Sequence, residues 1–78
     1  MRTKLKMPKV GDAVDEVVIT EIEVSVGDKV SEGQTLLVVE TDKTNVEIPS
    51  PFSGTVREIL VNIDDEVSTG APTIILEI

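Results

Sequence analysis

Short runs of alternating apolar and polar residues recur along the whole chain. Leu5 and Met7 alternate with lysines, and Val46 and Ile48 alternate with Asn45 and a glutamate. A period of two places successive side chains on opposite faces, which is typical of a β-strand with one solvated face. Gly, Asp, Asn, Ser or Pro separate the runs, and no stretch keeps a helical period. The pattern predicts eight strands, at residues 3–8, 17–24, 28–30, 35–41, 44–49, 54–61, 65–67 and 73–78.

The second half of the chain repeats part of the first. A shift of 37 residues lays Val17–Thr41 on Gly54–Ile78 without a gap, with eight identities in 25 pairs, among them Glu40 with Glu77. Two copies are too few for a solenoid. We therefore expect one all-β domain over residues 1–78. Its two four-strand halves would be related by a pseudo-twofold axis and packed as two sheets, each half hiding its apolar face against the other.

The junction between the halves predicts a hairpin with a tight turn centred on Asp42-Lys43. Apolar residues precede the turn and an alternating run follows it. Asp suits a turn because its carboxylate can accept a hydrogen bond from the backbone N–H two residues on. Lys43 would then project from the tip among acidic residues, which favour the protonated amine and make it a poor unaided nucleophile or base. From the spacing alone, an ordinary solvated lysine and a functional amine both stay open.

The composition lacks the side chains that perform most protein chemistry. The chain has no Cys, His, Trp or Tyr, and Phe52 is the one aromatic residue. This excludes disulfides, thiolate metal sites, imidazole catalysis and platforms for stacking nucleic-acid bases. We expect no metal site and no catalytic residue, so a reactive group would have to be imported.

The net charge of −8 argues against nucleic-acid and membrane partners, because it repels phosphate backbones and anionic lipids. No stretch is long enough to span a bilayer, and residues 1–8 lack the apolar core of a signal peptide. Four of the seven basic residues lie within the first nine positions, and all fifteen acids follow them. The acidic body either keeps a small domain from aggregating or steers it toward a basic partner.

The sequence around Lys43 resembles a known attachment motif. It is similar to the lipoyl domains of the dihydrolipoyl acyltransferase (E2) chains of 2-oxo acid dehydrogenase complexes. The resemblance covers about residues 4–78. Its core is Glu40-Thr41-Asp42-Lys43, within the runs 33–36, 39–51 and 54–56, and residues 7–11 and 26–30 also fit the pattern.

This resemblance implies a flattened β-barrel, or barrel-sandwich hybrid, of two four-stranded antiparallel sheets with quasi-twofold symmetry. Lys43 would carry lipoic acid in amide linkage, added by a lipoate-protein ligase or lipoyltransferase. The domain would be a swinging-arm carrier and not an enzyme. Its arm would be reductively acylated at a thiamine-diphosphate-dependent decarboxylase (E1), deliver the acyl group to coenzyme A at the E2 core, and be reoxidised by dihydrolipoyl dehydrogenase (E3).

The resemblance also implies which residues the partners recognise. In the family, the loop after the first strand lies beside the lysine and helps the decarboxylase to identify its own domain. Ala13 and Val17 stand where relatives often carry Gly, which indicates a less mobile loop. A solvated acidic loop without a partner is the plain alternative. The implied recognition residues are Glu40, Asp42 and Thr44 in the hairpin and Asp12, Asp15 and Glu16 in the loop.

Two other functions remain as alternatives. Biotinyl carrier domains of biotin-dependent carboxylases share this fold, but they flank the lysine with methionines, whereas Asp42 and Thr44 stand here. A β-rich binding module with no attached group is the second alternative. The 2-oxo acid stays open, as does the question of a fragment or a free-standing protein. We expect an isolated domain to be monomeric, in the cytoplasm of a bacterium or archaeon or in the mitochondrial matrix.

Overall fold

The computed structural model describes residues 1–10, 15–41 and 44–78, and this part of the chain forms eight β-strands. All eight strands predicted from the alternation are present, with ends displaced by no more than two residues. The strands are β1 Arg2–Lys6, β2 Glu16–Ile22, β3 Lys29–Val30, β4 Thr35–Glu40, β5 Asn45–Pro49, β6 Gly54–Ile59, β7 Glu66–Ser68 and β8 Pro72–Glu77.

Two strands end before the apolar pattern that predicted them. β2 ends at Ile22 and β6 ends at Ile59, although the alternation continues to Val24 and Val61. Both valines are nevertheless buried, each with 6% of its surface exposed. Backbone hydrogen bonds from Glu23 to Leu36 and from Leu60 to Thr73 extend each pairing by one residue, and the next side chain still points into the core.

The strands form two four-stranded antiparallel sheets, which confirms the predicted fold class. One sheet has the order β1-β8-β6-β3 and the other the order β5-β4-β2-β7. The packing of the halves differs from our expectation, because each sheet takes two strands from each half. Within a half only β2 pairs with β4, or β6 with β8. Each half therefore contributes side chains to both layers of the core instead of covering the other half.

The pseudo-twofold relation extends to the register of individual residues. Exchanging β1 with β5, β2 with β6, β3 with β7 and β4 with β8 converts one strand order into the other. Ile19 pairs with Val39, and 37 positions later Val56 pairs with Leu76. The irregularity that follows Ile19 recurs after Val56. The internal repeat in the sequence thus records a repeat of backbone hydrogen bonding.

The core lies between the sheets and is built from aliphatic side chains. Burying such surface contributes roughly 25 cal/mol for each square ångström removed from water. Phe52 is 45% exposed and stands outside this core. The side chains with no exposed surface are Ile19, Leu37, Val39, Val56, Ile74 and Leu76.

Gly54, the first residue of β6, lies where a side chain does not fit. A Cβ atom built at this position would stand 2.5 Å from the carbonyl oxygen of Glu77 in the neighbouring strand. Real Cβ atoms do not approach backbone oxygens so closely, and this backbone is held in the central strands of a sheet. The close approach of β6 to β8 therefore requires glycine here.

We expect Gly54→Ala to lower the free energy of unfolding by roughly 1–3 kcal/mol, the usual cost of forcing extra volume into packed structure. Urea denaturation measures the change. Glu58→Ala is the matched control, because Glu58 lies exposed in the same strand and should change stability by less than about 0.5 kcal/mol. A Gly54→Ala protein as stable as wild type would contradict this, because β6 and β8 could then move apart without a measurable loss of stability.

Three ion pairs, the ones found among the described residues, meet at Glu77 in β8. The carboxylate lies 3.1 Å from the guanidinium of Arg57, 3.8 Å from that of Arg2 and 3.6 Å from the N-terminal ammonium. Desolvation alone would raise the pKa of Glu77. The positive charges of Arg57, the N-terminus and Arg2, with the hydrogen bond from Arg57, outweigh it and hold the pKa below its ordinary value.

We expect Glu77→Gln to be less stable than wild type at pH 7. A lowered pKa contributes stability that is present above the pKa of the unfolded chain and is lost as the pH falls through the folded value. The difference should therefore shrink below about pH 4.3, the ordinary glutamate pKa. Urea midpoints measured from pH 7 to pH 3 check this, with Glu58→Gln as control. A difference that does not change with pH would contradict the ion-pair account.

Candidate functional site

The hairpin predicted at the junction of the halves is formed by β4 and β5. Glu40 pairs with Asn45 at its end, and the N–H of Thr41 donates to the carbonyl oxygen of Thr44 at 2.8 Å. Two residues, Asp42 and Lys43, connect Thr41 to Thr44 in the sequence. Both lie outside the described residues, so the predicted turn and the presentation of the lysine stay predictions. The structure establishes that a backbone hydrogen bond joins the two residues on either side of that connection, Thr41 and Thr44.

Two threonine hydroxyls add hydrogen bonds beside the connection. Oγ1 of Thr41 donates to the carbonyl oxygen of Thr44 at 3.2 Å, and Oγ1 of Thr44 donates to the carbonyl oxygen of Asn45 at 3.3 Å. Glu40, Thr44 and Asn45 are exposed, and Thr41 is half-buried. The hydrogen bonds hold the backbone at the end of the hairpin, while the acidic and polar side chains around it face solvent.

The sheet register brings one predicted loop residue to the hairpin end. Val18 in β2 pairs with Glu40. Because the strands are antiparallel, Glu16 lies two residues further toward the hairpin connection, roughly 7 Å along the strand. Asp15 and Glu16 are both exposed. The structure therefore places these two acids at the hairpin end of the sheet, and the last predicted loop acid, Asp12, lies outside the described residues.

The same backbone arrangement carries different charges at its two pseudo-twofold positions. At the hairpin, a row of paired residues crosses the sheet through Asn45, Glu40, Val18 and Glu66. The equivalent row in the other sheet is Arg2, Glu77, Thr55 and Lys29. The first row has two carboxylates and no cation, whereas the second has one carboxylate and two cations. Identical pairing thus yields an acidic surface at the hairpin and a neutralised one at the chain ends.

Glu66 belongs to the hairpin end although the sequence analysis did not select it. It lies 23 positions after Lys43 and in the other half of the chain. β7 pairs with β2, so that Glu66 stands opposite Val18, whose other neighbour is Glu40. The 37-residue shift matches Glu66 with Lys29, so the repeat replaces a cation by a carboxylate at this position. Only the pairing of the strands shows that this carboxylate lies at the hairpin end of the sheet.

A second group of acids extends along the sheet that carries the hairpin. A hydrogen bond with the side chain of Glu21 raises the pKa of Glu23, and the negative charge of Glu21, desolvation and the charge of Glu47 act in the same direction. Thr35 Oγ1 donates to Glu47 at 3.4 Å. Crowded carboxylates hold protons more tightly than isolated ones because each ionised group opposes the ionisation of the next.

A shallow groove of about 550 Å³ opens between the edge strands β1 and β5. Its lining includes Leu5 and Ile48, which are pseudo-twofold equivalents, with Phe52 and the two lysines of β1. Leu5 and Ile48 are only 7% and 6% exposed, so the floor offers little surface. The groove brings apolar side chains and lysines together and holds no acid–base pair.

Two kinds of site are absent from the part of the chain that the structure describes. Within residues 1–10, 15–41 and 44–78, no group of three or more carboxylates is arranged to hold a metal ion. The same residues include no helix of the length and hydropathy needed to cross a membrane.

Comparison with known proteins decides the family. A family model named Biotin_lipoyl, described as "Biotin-requiring enzyme", matches residues 3–76. The chain belongs to this biotinyl/lipoyl-attachment family. The family predicted from the residues around the hairpin is therefore confirmed.

Relatives within the family carry the comparison further. One is the dihydrolipoyllysine-residue acetyltransferase component of the pyruvate dehydrogenase complex of Haemophilus influenzae. It is 46% identical over 77 residues, which cover 99% of this chain and 13% of the relative. The chain spans only 10% to 18% of the length of the curated relatives that it matches.

Two solved structures share the fold. The lipoyl domain of the 2-oxoglutarate dehydrogenase complex from Azotobacter vinelandii superposes with a TM-score of 0.75 at 23% identity, covering 95% of this chain and 94% of that one. Urea carboxylase from Kluyveromyces lactis superposes with a TM-score of 0.82 at 22% identity, covering 99% of this chain and 6% of that one. The fold is therefore shared with a lipoyl domain and with part of a carboxylase.

Proposed function

We propose that this chain is a lipoyl carrier domain of a pyruvate dehydrogenase complex, with lipoic acid attached to the side-chain nitrogen of Lys43. The observation that carries the proposal is the 46% identity to an acetyltransferase component across 99% of the chain. Acetyltransferase components of the same complex recur among the relatives. Asp42 and Thr44 beside the lysine, in place of methionines, support the lipoyl branch over the biotinyl one.

The chemistry of the site fits an attached lipoyl group. Attachment needs a primary amine, and Lys43 falls within the two residues that link Thr41 to Thr44. The backbone hydrogen bond between these threonines holds the ends of that link together. Exposed Glu40 and Thr44 at those ends leave room for a modifying enzyme to approach. When attached, lipoate supplies a dithiolane that carries acyl groups and electrons.

The protein's own residues present the arm and do not catalyse. The sequence has no His or Cys to serve as general base or thiolate. A carrier needs a stable scaffold, an exposed amine and a surface that partners recognise. Two sheets closed over an aliphatic core supply the first. Tethering a reactive group to such a scaffold raises its effective concentration at each partner's active site.

The proposed partners follow from the carrier role. They are a lipoate-protein ligase or lipoyltransferase, the E1 decarboxylase, the E2 acyltransferase core and E3. The acids at the hairpin end, Glu16, Glu40 and Glu66, would meet basic surfaces on these partners. Location in the cytoplasm of a bacterium or archaeon or in the mitochondrial matrix, and a monomeric state for the isolated domain, remain predictions.

We expect incubation with lipoate, ATP and a lipoate-protein ligase to add one lipoyl group, and Lys43→Arg to abolish the addition, because arginine keeps the charge but offers no primary amine. Intact-mass measurement checks this. Lys29→Arg is the matched control and should be modified as wild type is, because Lys29 is an exposed lysine in β3.

Two results would contradict the assignment. A lipoyl adduct that persists in Lys43→Arg would show that another amine is modified. Addition of biotin by a biotin ligase, at a rate similar to that of lipoate by its own ligase, would favour the biotinyl alternative.

If acidic residues steer the lipoylated domain to E1, the second-order rate of reductive acylation should fall as salt rises. The screening length shrinks from about 10 Å at 0.1 M salt to about 3 Å at 1 M. A roughly tenfold decrease is typical of steered association. Glu16→Gln should weaken the salt dependence, and Glu58→Gln should leave it unchanged because β6 lies in the other sheet. If the rate of reductive acylation does not depend on salt, the acidic residues do not steer the domain to E1, and the net charge serves solubility alone.

A further inference from the structure

Thr41 makes a hydrogen bond that its pseudo-twofold equivalent cannot make. The N–H of Thr41 donates to the carbonyl oxygen of Thr44 at 2.8 Å, and the N–H of Ile78 donates to that of Met1 at 2.7 Å. The hydroxyl of Thr41 adds a second bond to the same Thr44 oxygen at 3.2 Å. Isoleucine has no hydroxyl, and the second bond at the chain ends runs the other way, from the N-terminal ammonium of Met1 to the carbonyl oxygen of Ile78 at 3.2 Å.

The two ends differ in where the second bond is made. At the hairpin both donors belong to Thr41 and converge on one oxygen, whereas at the chain ends the two bonds run in opposite directions between two residues. A carbonyl oxygen has two lone pairs, and with two donors both are engaged. The carbonyl group of Thr44, the residue that directly follows Lys43, is thereby fixed in orientation.

The side chain of Thr41 is suited to this task. Its branching at Cβ restricts rotation about χ1, so the hydroxyl loses little further freedom when it bonds. Thr41 is half-buried as a residue, and its hydroxyl bond to Thr44 lies at the exposed end of the hairpin.

We propose that Thr41 is a positioning residue for the modification of Lys43. Its hydroxyl adds to the backbone bond that joins Thr41 to Thr44, and a lipoate ligase recognises these two residues on either side of Asp42-Lys43. The inference deepens the proposed lipoyl function and rests on it. An enzyme that recognises the shape of a hairpin benefits from a rigid substrate because less ordering is needed on binding.

The test compares three variants as ligase substrates. Thr41→Val removes the hydroxyl and keeps the shape, whereas Thr41→Ser keeps the hydroxyl. Thr20→Val is the matched control, because Thr20 Oγ1 donates to the carbonyl oxygen of Val38 at 3.0 Å in the same sheet, away from the hairpin end. Initial rates at several domain concentrations, read from intact mass, give kcat and KM separately.

We expect Thr41→Val to lower kcat/KM by roughly threefold to tenfold, the range that corresponds to one hydrogen bond. Thr41→Ser and Thr20→Val should remain within about twofold of wild type. Hydrogen exchange gives a second readout. The amide proton of residue 41 should exchange faster in Thr41→Val than in wild type, while the amide proton of Val38 should keep its wild-type rate.

Three outcomes would overturn the proposal: equal kcat/KM for Thr41→Val and wild type, an equal loss in Thr20→Val, or no rescue by Thr41→Ser. An amide of residue 41 that exchanges at the wild-type rate in Thr41→Val would also overturn it. These results are distinct from failure of the lipoyl function, in which wild type itself would gain no adduct. Modification of wild type with no effect of Thr41→Val would reject the positioning role alone.

Discussion

The structure depends on one constraint, which is that neither half of the chain can cover its own apolar face. Each half places two strands in each sheet, and β1, β3, β5 and β7 find partners only in the other half. Ile19 and Val39 from one half pack in the same core as Val56 and Leu76 from the other. Folding is therefore a joint closure of both halves, and the hairpin at their junction is anchored at the same time.

That closure produces two ends with the same backbone pairing, and side chains then make them different. At the chain ends Arg57, Arg2 and the N-terminal ammonium surround Glu77 and lower its pKa. At the hairpin, Thr20 stands where the repeat places Arg57, so β2 has no cation at that position beside Glu40. Thr41 further adds a hydroxyl bond there. The duplicated scaffold thus explains stability, and the departures from duplication mark the proposed attachment site.

Much of this could be predicted from the sequence, because alternation and repetition are local signals. All eight strands followed from the alternation of residues such as Val46 and Ile48 with polar ones, and the pseudo-twofold relation followed from the 37-residue repeat. The interleaving of the halves did not, since the same apolar faces suit either arrangement and only strand pairing decides. Glu66 was missed for the same reason. The resemblance predicts Lys43 as the attachment point, and the spacing of charges alone does not distinguish it from a solvated lysine.

In the proposed function, the domain is a scaffold for a reactive group that its own residues cannot supply. The most direct test is the intact mass of the protein purified from its native source, followed by mapping of the modified peptide. The account predicts one lipoyl group on the peptide that contains Lys43. A biotinyl group on that peptide, or a protein with no attached group, would contradict it.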